Sequence, residues 1–465
     1  MKKRVAVFGG SFNPPGVHHR HIVEVLKQLG FFQHIVIVPC GPRPDKLTTN
    51  DILPIHRATM CDLTLGNIPG VEVDLFDLEQ ATFTRTHELE RRYHEQYPGR
   101  QTEIWHVVGP DLIAGGRRNS FIATKWQRGQ YLWSHLNFLV IASPRCQISE
   151  ADLPPHSMVV KIDADGGSTV IRETIFRRED FTQLVTPEVA AYINRYNLYR
   201  GGNDIRSAEL QQLPRRIWLR VDHRNPRAIS LAQRFQPYVV RQKPELIVVI
   251  GGDGLMLQTI HRDWRRRLPF YGINAGYRGF LLNEMPRGRM ILPTADAQSY
   301  HLPLLYVEQT DTTGKVHESL AFNDAWVERA SGQTGWFQVL INDRIQLKHL
   351  IADGLLVSTA AGSTAYARAM GATPLPPGTP NLCLVGSNVL EPPQWKMANL
   401  QADDRVEIRT LNPQKRPVNS FVDGVGPLLT NKLTVRTSRI AAVELVLNAS
   451  YNFAAKLTAL QFPSS

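Results

Sequence analysis

An α/β fold in two tandem parts is predicted by three features of the 465-residue sequence. One apolar run ends in Gly9-Gly10, a second ends in Val249-Ile250-Gly251-Gly252-Asp253-Gly254, and strand-like segments alternate with helical patterns over the first two hundred or so residues. A glycine pair closing an apolar run suits a buried parallel strand whose carboxyl end opens into a tight turn. Sheets of this class bind ligands at such ends. Two turns of this kind give one chain two expected phosphate-handling sites.

Val5-Ala6-Val7-Phe8 reads as the first strand, followed by the turn Gly9-Gly10-Ser11-Phe12-Asn13-Pro14-Pro15 and a helix starting near His18. Ile35-Val36-Ile37-Val38, Trp105-His106-Val107-Val108 and Phe138-Leu139-Val140-Ile141 continue the alternation, which implies a doubly wound parallel sheet. After the amphipathic Pro187–Ile193 segment the composition breaks near Tyr199-Arg200-Gly201-Gly202-Asn203-Asp204. The boundary belongs there: a domain over 1–202, a linker over 203–216 and a domain over 217–465. In the second domain one βα unit, opened by Ile217-Trp218-Leu219, precedes Gly251. Beyond about residue 290, short alternating segments predict an antiparallel β-rich lobe, so this domain has an α/β lobe and a β-rich lobe.

With 43% apolar and 20% charged residues the chain can bury sizeable cores. No apolar run reaches the ~18 residues of a membrane span, and the basic start Met1-Lys2-Lys3-Arg4 meets a strand too short for a signal peptide. The four cysteines, Cys40, Cys61, Cys146 and Cys383, show no CxxC spacing. That pattern fits buried thiols in a reducing cytoplasm. The net charge of +11 is dispersed and accompanied by no DNA- or RNA-reading motif. Anionic small nucleotides are therefore the expected partners, with no nucleic acid and no membrane.

At the first turn, Gly9 and Gly10 let backbone approach a phosphate, and the following helix end offers unpaired N–H groups. His18, His19 and His21 crowd that end. The His18/His21 spacing allows a metal reading but supplies no third ligand, so metal ligands stay unassigned. From Arg4 to Arg200 the chain resembles the nicotinate/nicotinamide mononucleotide adenylyltransferases. Gly9, Gly10, Ser11 and Phe12 are similar to that family's first turn, Pro39 to Lys46 to its basic loop, and His56-Arg57 to its following helix start. Gly109-Pro110-Asp111 with Trp126 resembles its mononucleotide pocket, and Gly167-Ser168-Thr169-Val170-Ile171-Arg172 its late ATP-phosphate motif. The family's two histidines fall on Gly16 and His19 without a gap, or on His18 and His21 with a short insertion. The resemblance implies adenylyl transfer from ATP with Mg²⁺, with His19, Lys46 and Arg172 as candidate catalytic groups and Ser168 and Thr169 as ATP contacts.

At the second turn Asp253 stands between Gly252 and Gly254, where a carboxylate can reach Mg²⁺ or a hydroxyl. Gly272 to Leu281, Asn323-Asp324, Asp353 to Thr359, Gly362 to Tyr366 and Asp423-Gly424 follow in the order seen in NAD kinases. This resemblance covers about 215–450. It implies that Gly251, Gly252, Gly254 and Asn274 handle ATP phosphates, and that Asp253 is the base or metal organiser for the ribose 2′-hydroxyl. Asn323 and Asp324 resemble the family's ribose-binding Asn-Glu, one methylene shorter. Asp353, Thr364, Ala365 and Tyr366 would line the dinucleotide site, while Ala360 and Ala361 replace the family's Pro and Ser or Thr.

Together the resemblances imply a bifunctional enzyme of NAD(P) biosynthesis, a homo-oligomer in the cytoplasm using ATP, a mononucleotide and NAD. Two rivals stay open: a lipid kinase, which shares the Gly-Gly-Asp-Gly turn, and a nucleotide-sensing protein with one inactive half.

Overall fold

The computed structural model describes residues 3–43, 47–99, 102–143, 148–163, 166–201, 207–209, 214–276, 279–284, 293 and 297–462. The chain divides into two compact units, Met1–Ile205 and Arg206–Ser465.

In the first unit β1 (Lys3–Gly10) leads through α1 (Val17–Gln28), β2 (His34–Pro39) and α2 (Pro54–Leu65) to β3 (Val71–Val73). Helices α3 (Phe76–Gln80) and α4 (Thr86–Gln96) precede β4 (Thr102–Val108). Four short helices follow, α5 (Pro110–Ile113), α6 (Gly116–Asn119), α7 (Phe121–Lys125) and α8 (Gly129–His135). The unit ends with β5 (Asn137–Ala142), β6 (Ser157–Lys161), α9 (Ser168–Phe176) and α10 (Pro187–Arg195). The strands form one parallel sheet in the order β3-β2-β1-β4-β5-β6. Helices cover both faces, so the inner strands read as unbroken apolar runs: Val5, Ala6, Val36 and Ile37 are all fully buried. The strand order reverses between β1 and β4. That switch point leaves a crevice at the carboxyl ends of both strands.

The second unit begins with β7 (Ser207–Glu209), β8 (Ile217–Val221), α11 (Pro226–Gln233), β9 (Leu246–Gly251), α12 (Asp253–Asp263) and β10 (Phe270–Asn274). Strands β8, β9 and β10 are parallel. The β-rich part runs through β11 (Gln298–Asp311), β12 (Val316–Ala321), β13 (Asp324–Arg329), β14 (Gly335–Ile341), β15 (Arg344–Ala352) and β16 (Gly354–Thr359). It continues through α13 (Tyr366–Ala369), β17 (Asn381–Ser387), β18 (Met397–Gln401), β19 (Val406–Thr410), β20 (Val418–Val422) and β21 (Val425–Leu447), and the chain closes with α14 (Phe453–Gln461). Pairings here are antiparallel, as the alternating segments predict. The 23-residue β21 pairs with β19, β20 and β11 and then, in parallel, with β10. One strand thereby ties the β-rich lobe to the α/β lobe.

The 203–216 segment, expected as a linker, contributes β7, which pairs with β11 across Ser207↔Tyr300 to Glu209↔Gln298. A three-residue strand added to a sheet edge carries no period of its own. It is specified by its partner.

Candidate functional site

In the first unit a buried cation fastens the turn after β1. Arg57, 1% exposed on α2, donates from Nε to the Ser11 carbonyl at 3.0 Å and from Nη1 to the Thr49 carbonyl at 3.3 Å. Its Nη2 donates to the carbonyls of Ser11 and Cys40, the latter at 2.6 Å. From the opposite side, Ser168 Oγ at the start of α9 donates to the Pro14 carbonyl (2.9 Å) and Arg172 Nη1 to the Asn13 carbonyl (2.6 Å). Arg172 also reaches Thr169 Oγ1 at 3.3 Å. Buried Asn13 donates to the Thr48 carbonyl at 2.6 Å and accepts from the Tyr199 hydroxyl at 2.6 Å. The N-termini of α1 and α9 thus border one turn with their positive dipole ends, although at α1 the Val17 N–H donates to the Leu184 carbonyl at 3.0 Å and the Gly16 N–H to His19 Nδ1. Above it, a Cβ added at Gly9 would meet nothing within 4 Å.

The three histidines separate by geometry. His19 Nδ1 accepts the Gly16 N–H at 3.0 Å, which fixes Nε2 as the N–H donor of the neutral ring. Its ring packs on Phe12 at 4.9 Å and Phe8 at 6.1 Å. The His18 ring lies 3.9 Å from that of His19, and burial lowers its pKa. His21 is exposed on α1. We propose the ungapped register, in which His19 takes the family position, on the ground that its ring is held at the turn with an oriented N–H. His19→Ala is accordingly expected to lower adenylyl transfer about 10²-fold, more than His18→Ala or His21→Ala; initial rates of dinucleotide formation rank the three, and a larger effect at His18 and His21 would select the insertion register.

Beside the turn a cavity of about 180 Å³ opens at the β1–β4 switch point, lined by Gly9, Gly10, Val38, His106, Val108 and Trp126 among others. Gly109 precedes α5, and Asp111 is exposed in the first turn of that helix. The cavity also reaches Arg43, Asp77, Phe83, Thr84 and Arg85, which the sequence reading did not single out as site residues. Arg43 and Arg85 flank the Phe83 ring at 5.2 and 5.5 Å. Asp77 is raised above the ordinary carboxylate pKa, chiefly by burial, and is hydrogen-bonded by the Thr84 N–H at 3.0 Å. Lys46 lies outside the described residues.

In the second unit Asp253 opens α12 directly after Gly251 and Gly252. Its Oδ2 accepts the Phe280 N–H at 2.9 Å and its Oδ1 the Leu281 N–H at 3.0 Å. The carboxylate therefore sets the position of the 279–284 loop. Burial raises the Asp253 pKa, while these N–H groups and Lys456 pull against the rise. A carboxylate oxygen keeps a second lone pair after one such bond, so proton acceptance is still open to it. Asn274, 2% exposed, accepts the Gly276 N–H at 3.0 Å and donates to Glu284 Oε1 at 2.9 Å. A Cβ added at Gly252 or Gly254 would meet nothing within 4 Å. The face of the turn is open.

Asn323 and Asp324 reach this turn through Asp423, whose own φ is 45°. The Asp423 carboxylate accepts the N–H groups of Phe322, Asn323 and Asp324 at 2.5, 2.9 and 3.0 Å. It also binds His261 Nε2, from α12, at 2.7 Å. The helix carrying Asp253 is thereby joined to the Asn323-Asp324 backbone. Phe322 and Ala361 share a buried cluster with Met256 and Leu281, which seals the same junction. Gly362 is required there, since a Cβ would stand 2.2 Å from the Asn323 carbonyl oxygen. Thr364 Oγ1 donates to the Ala361 carbonyl at 3.3 Å, and Ala365 is exposed.

A cavity of about 380 Å³ is lined by Trp326, Arg329, Asp353, Tyr366, Met370 and Ser387 among others. Asp353 pairs with Arg329 Nε at 2.8 Å and accepts from Asn388 Nδ2 at 2.8 Å. Trp326 stacks on Phe421 at 4.9 Å and meets Tyr366 edge-on at 5.1 Å. Asp353 and Tyr366 thus share one pocket. Trp326 and His261 were not among the residues expected at the site, and Asp423 was expected there only as part of the Asp423-Gly424 motif, with no role assigned.

Burial, then the neighbouring Asp423, pushes the Asp324 pKa from its ordinary 3.8 up to about 7. A carboxyl raised in the folded state binds its proton more tightly there than in the unfolded chain. Its contribution to stability is therefore greatest near pH 4 and falls as pH rises to about 7. Asp324→Asn, a permanent stand-in for the protonated form, is expected to stabilise the second unit above pH 7 by the order of 1–4 kcal/mol and to do little at pH 4. Thermal midpoints of both proteins across this range test it. A difference that does not change with pH would remove Asp324 as its source.

The comparisons with known proteins divide in the same way. Residues 7–180 match the cytidylyltransferase-like family. The NAD kinase of Rickettsia prowazekii is 32% identical over 234 residues, 50% of this chain and 92% of the relative. That of Rickettsia canadensis is 30% identical over 241 residues, 52% of this chain and 94% of the relative. A crystal structure of yeast NADH kinase complexed with NADH covers 56% of this chain and 92% of its own, at 16% identity and a TM-score of 0.48. Among the described residues no helix is long and apolar enough to cross a membrane. Through its second unit the chain belongs to the NAD kinase family, and it carries ahead of that unit a cytidylyltransferase-like domain, so that one polypeptide joins a nucleotidyltransferase to a kinase of NAD biosynthesis.

Proposed function

We propose that the first unit transfers the adenylyl group of ATP to nicotinamide or nicotinate mononucleotide, and that the second phosphorylates the adenosine-ribose 2′-hydroxyl of NAD with ATP to give NADP. In the first reaction a mononucleotide phosphate oxygen attacks the α-phosphorus of ATP, the bond to the β-phosphate bridge breaks and pyrophosphate leaves. Positioning and charge neutralisation supply most of such catalysis. The α1 and α9 N-termini, His19 and Arg172 serve those ends, Gly9 to Phe12, Ser168 and Thr169 border the ATP phosphates, and the Trp126 cavity takes the mononucleotide. In the second, Asp253 accepts the 2′-hydroxyl proton while that oxygen attacks the γ-phosphorus, and ADP leaves. Gly251, Gly252, Gly254 and Asn274 serve the phosphates, Asn323 and Asp324 the ribose, and Asp353, Thr364, Ala365 and Tyr366 the remainder of NAD.

The observation that carries this reading is a strand-ending glycine turn in each unit with open space over Gly9, Gly252 and Gly254, followed at once by a helix in the second unit (α12 from Asp253) and by the loop that leads to α1 at Val17 in the first. Mg²⁺ would arrive on the ATP phosphates, since this ion is usually held by substrate phosphates with one or two carboxylates. Assembly into a homo-oligomer is part of the proposal.

Purified full-length protein incubated with ATP, Mg²⁺ and each mononucleotide, with products identified by mass, tests it. Dinucleotide followed by its 2′-phosphorylated form is expected. Binding without turnover in one half would support a sensing role for that half, and phosphorylation of diacylglycerol instead of NAD would restore the lipid-kinase reading.

A further inference from the structure

The last segment of the chain grips the loop against which Asp253 is set. The Tyr451 hydroxyl donates to the Phe280 carbonyl at 2.6 Å. On α14, Lys456 Nζ donates to the carbonyls of Leu282, at 2.7 Å, and Gly279, and pairs with Glu284 Oε1 at 3.2 Å. The Asn448 N–H adds a bond to Asn283 Oδ1 at 2.8 Å. An ammonium has three donors and no acceptor, and all three of its donors have partners on this one loop. The loop's N–H groups at Phe280 and Leu281 face Asp253, while its carbonyls at Gly279, Phe280 and Leu282 face the C-terminal segment. It is held from both sides by groups of opposite polarity.

We propose that Tyr451 and Lys456 are positioning residues of the kinase reaction, forming a latch that holds the 279–284 loop and, through its amides, fixes the Asp253 carboxylate over the Gly252–Gly254 turn. The proposal rests on the kinase reading above. Lys456 retains 17% side-chain exposure, so water can replace it on the loop carbonyls, and its loss loosens the loop more than it unfolds the unit. A misplaced Asp253 slows the chemical step while NAD, bound mainly by the β-rich lobe, still binds.

The test uses the full-length protein with Lys456→Met, Lys456→Arg and Tyr451→Phe. Lys456→Met is expected to lower kcat for NADP formation about 10- to 100-fold, with KM for NAD changed less than about threefold. Lys456→Arg should recover part of the rate because it restores a cation with several donors, and Tyr451→Phe, which deletes one hydroxyl and keeps the ring, should cost several-fold in kcat. Thermal midpoints within about 4 °C of wild type would show that folding is not the cause. Unchanged kcat in both Lys456→Met and Tyr451→Phe, or a rise in KM alone, overturns the latch while leaving the kinase reading intact. A wild-type protein that makes no NADP overturns the kinase reading and the latch with it.

Discussion

Asp253→Asn is expected to cut NAD phosphorylation by about 10²-fold or more while adenylyl transfer stays near normal. Two losses combine. The amide cannot accept the 2′-hydroxyl proton, and it offers one acceptor oxygen where the Phe280 and Leu281 N–H groups need two. Its NH₂ group would face one of those donors, so the 279–284 loop must shift as well. Both activities can be read in one sample from the masses of dinucleotide and phosphorylated dinucleotide. Near-normal kinase turnover would remove Asp253 from the mechanism, and a parallel loss of adenylyl transfer would mean that the two sites depend on each other.

Arg57→Leu is expected to abolish adenylyl transfer and to destabilise the first unit by the order of 3–5 kcal/mol, since a buried polar group left without its partner costs roughly 1–3 kcal/mol. The side chain serves the carbonyls of Ser11, Cys40 and Thr49 from a site 1% exposed, where water cannot easily take its place. Ser11 sits in the turn that would meet ATP, so its displacement reaches the chemistry directly. Urea unfolding followed separately through each activity checks the prediction. A first unit as stable as wild type would show that the arginine is replaceable, and an equal loss of NAD phosphorylation would show that its effect is not local.

The sequence by itself determined the class of fold and the location of both glycine turns. Val5 to Phe8 and Ile35 to Val38 are legible as strands because a parallel sheet covered on both faces demands continuous apolar runs. The turns are legible because a glycine pair closing an apolar run marks a strand that opens into a tight turn. Ordered motifs from Asp253 through Asn323-Asp324 to Gly362–Tyr366 carried the family of the second unit, which the match to Rickettsia NAD kinases shows.

Tertiary structure alone decided which side chains hold those turns in place. Arg57 is 46 residues from the Ser11 carbonyl that it binds, His261 is 162 residues from Asp423, and Lys456 is 174 residues from Leu282. No local period or spacing records such pairs, because each is chosen by where two separate elements meet in the folded chain. The same holds for β7, whose three residues gain strand geometry from β11, and for Asp324, whose raised pKa comes from burial beside a carboxylate 99 residues away. Backbone conformation and apolar burial are dictated locally and leave a trace in the sequence; polar partners and their electrostatics arise from long-range packing, and exist only once the fold has formed.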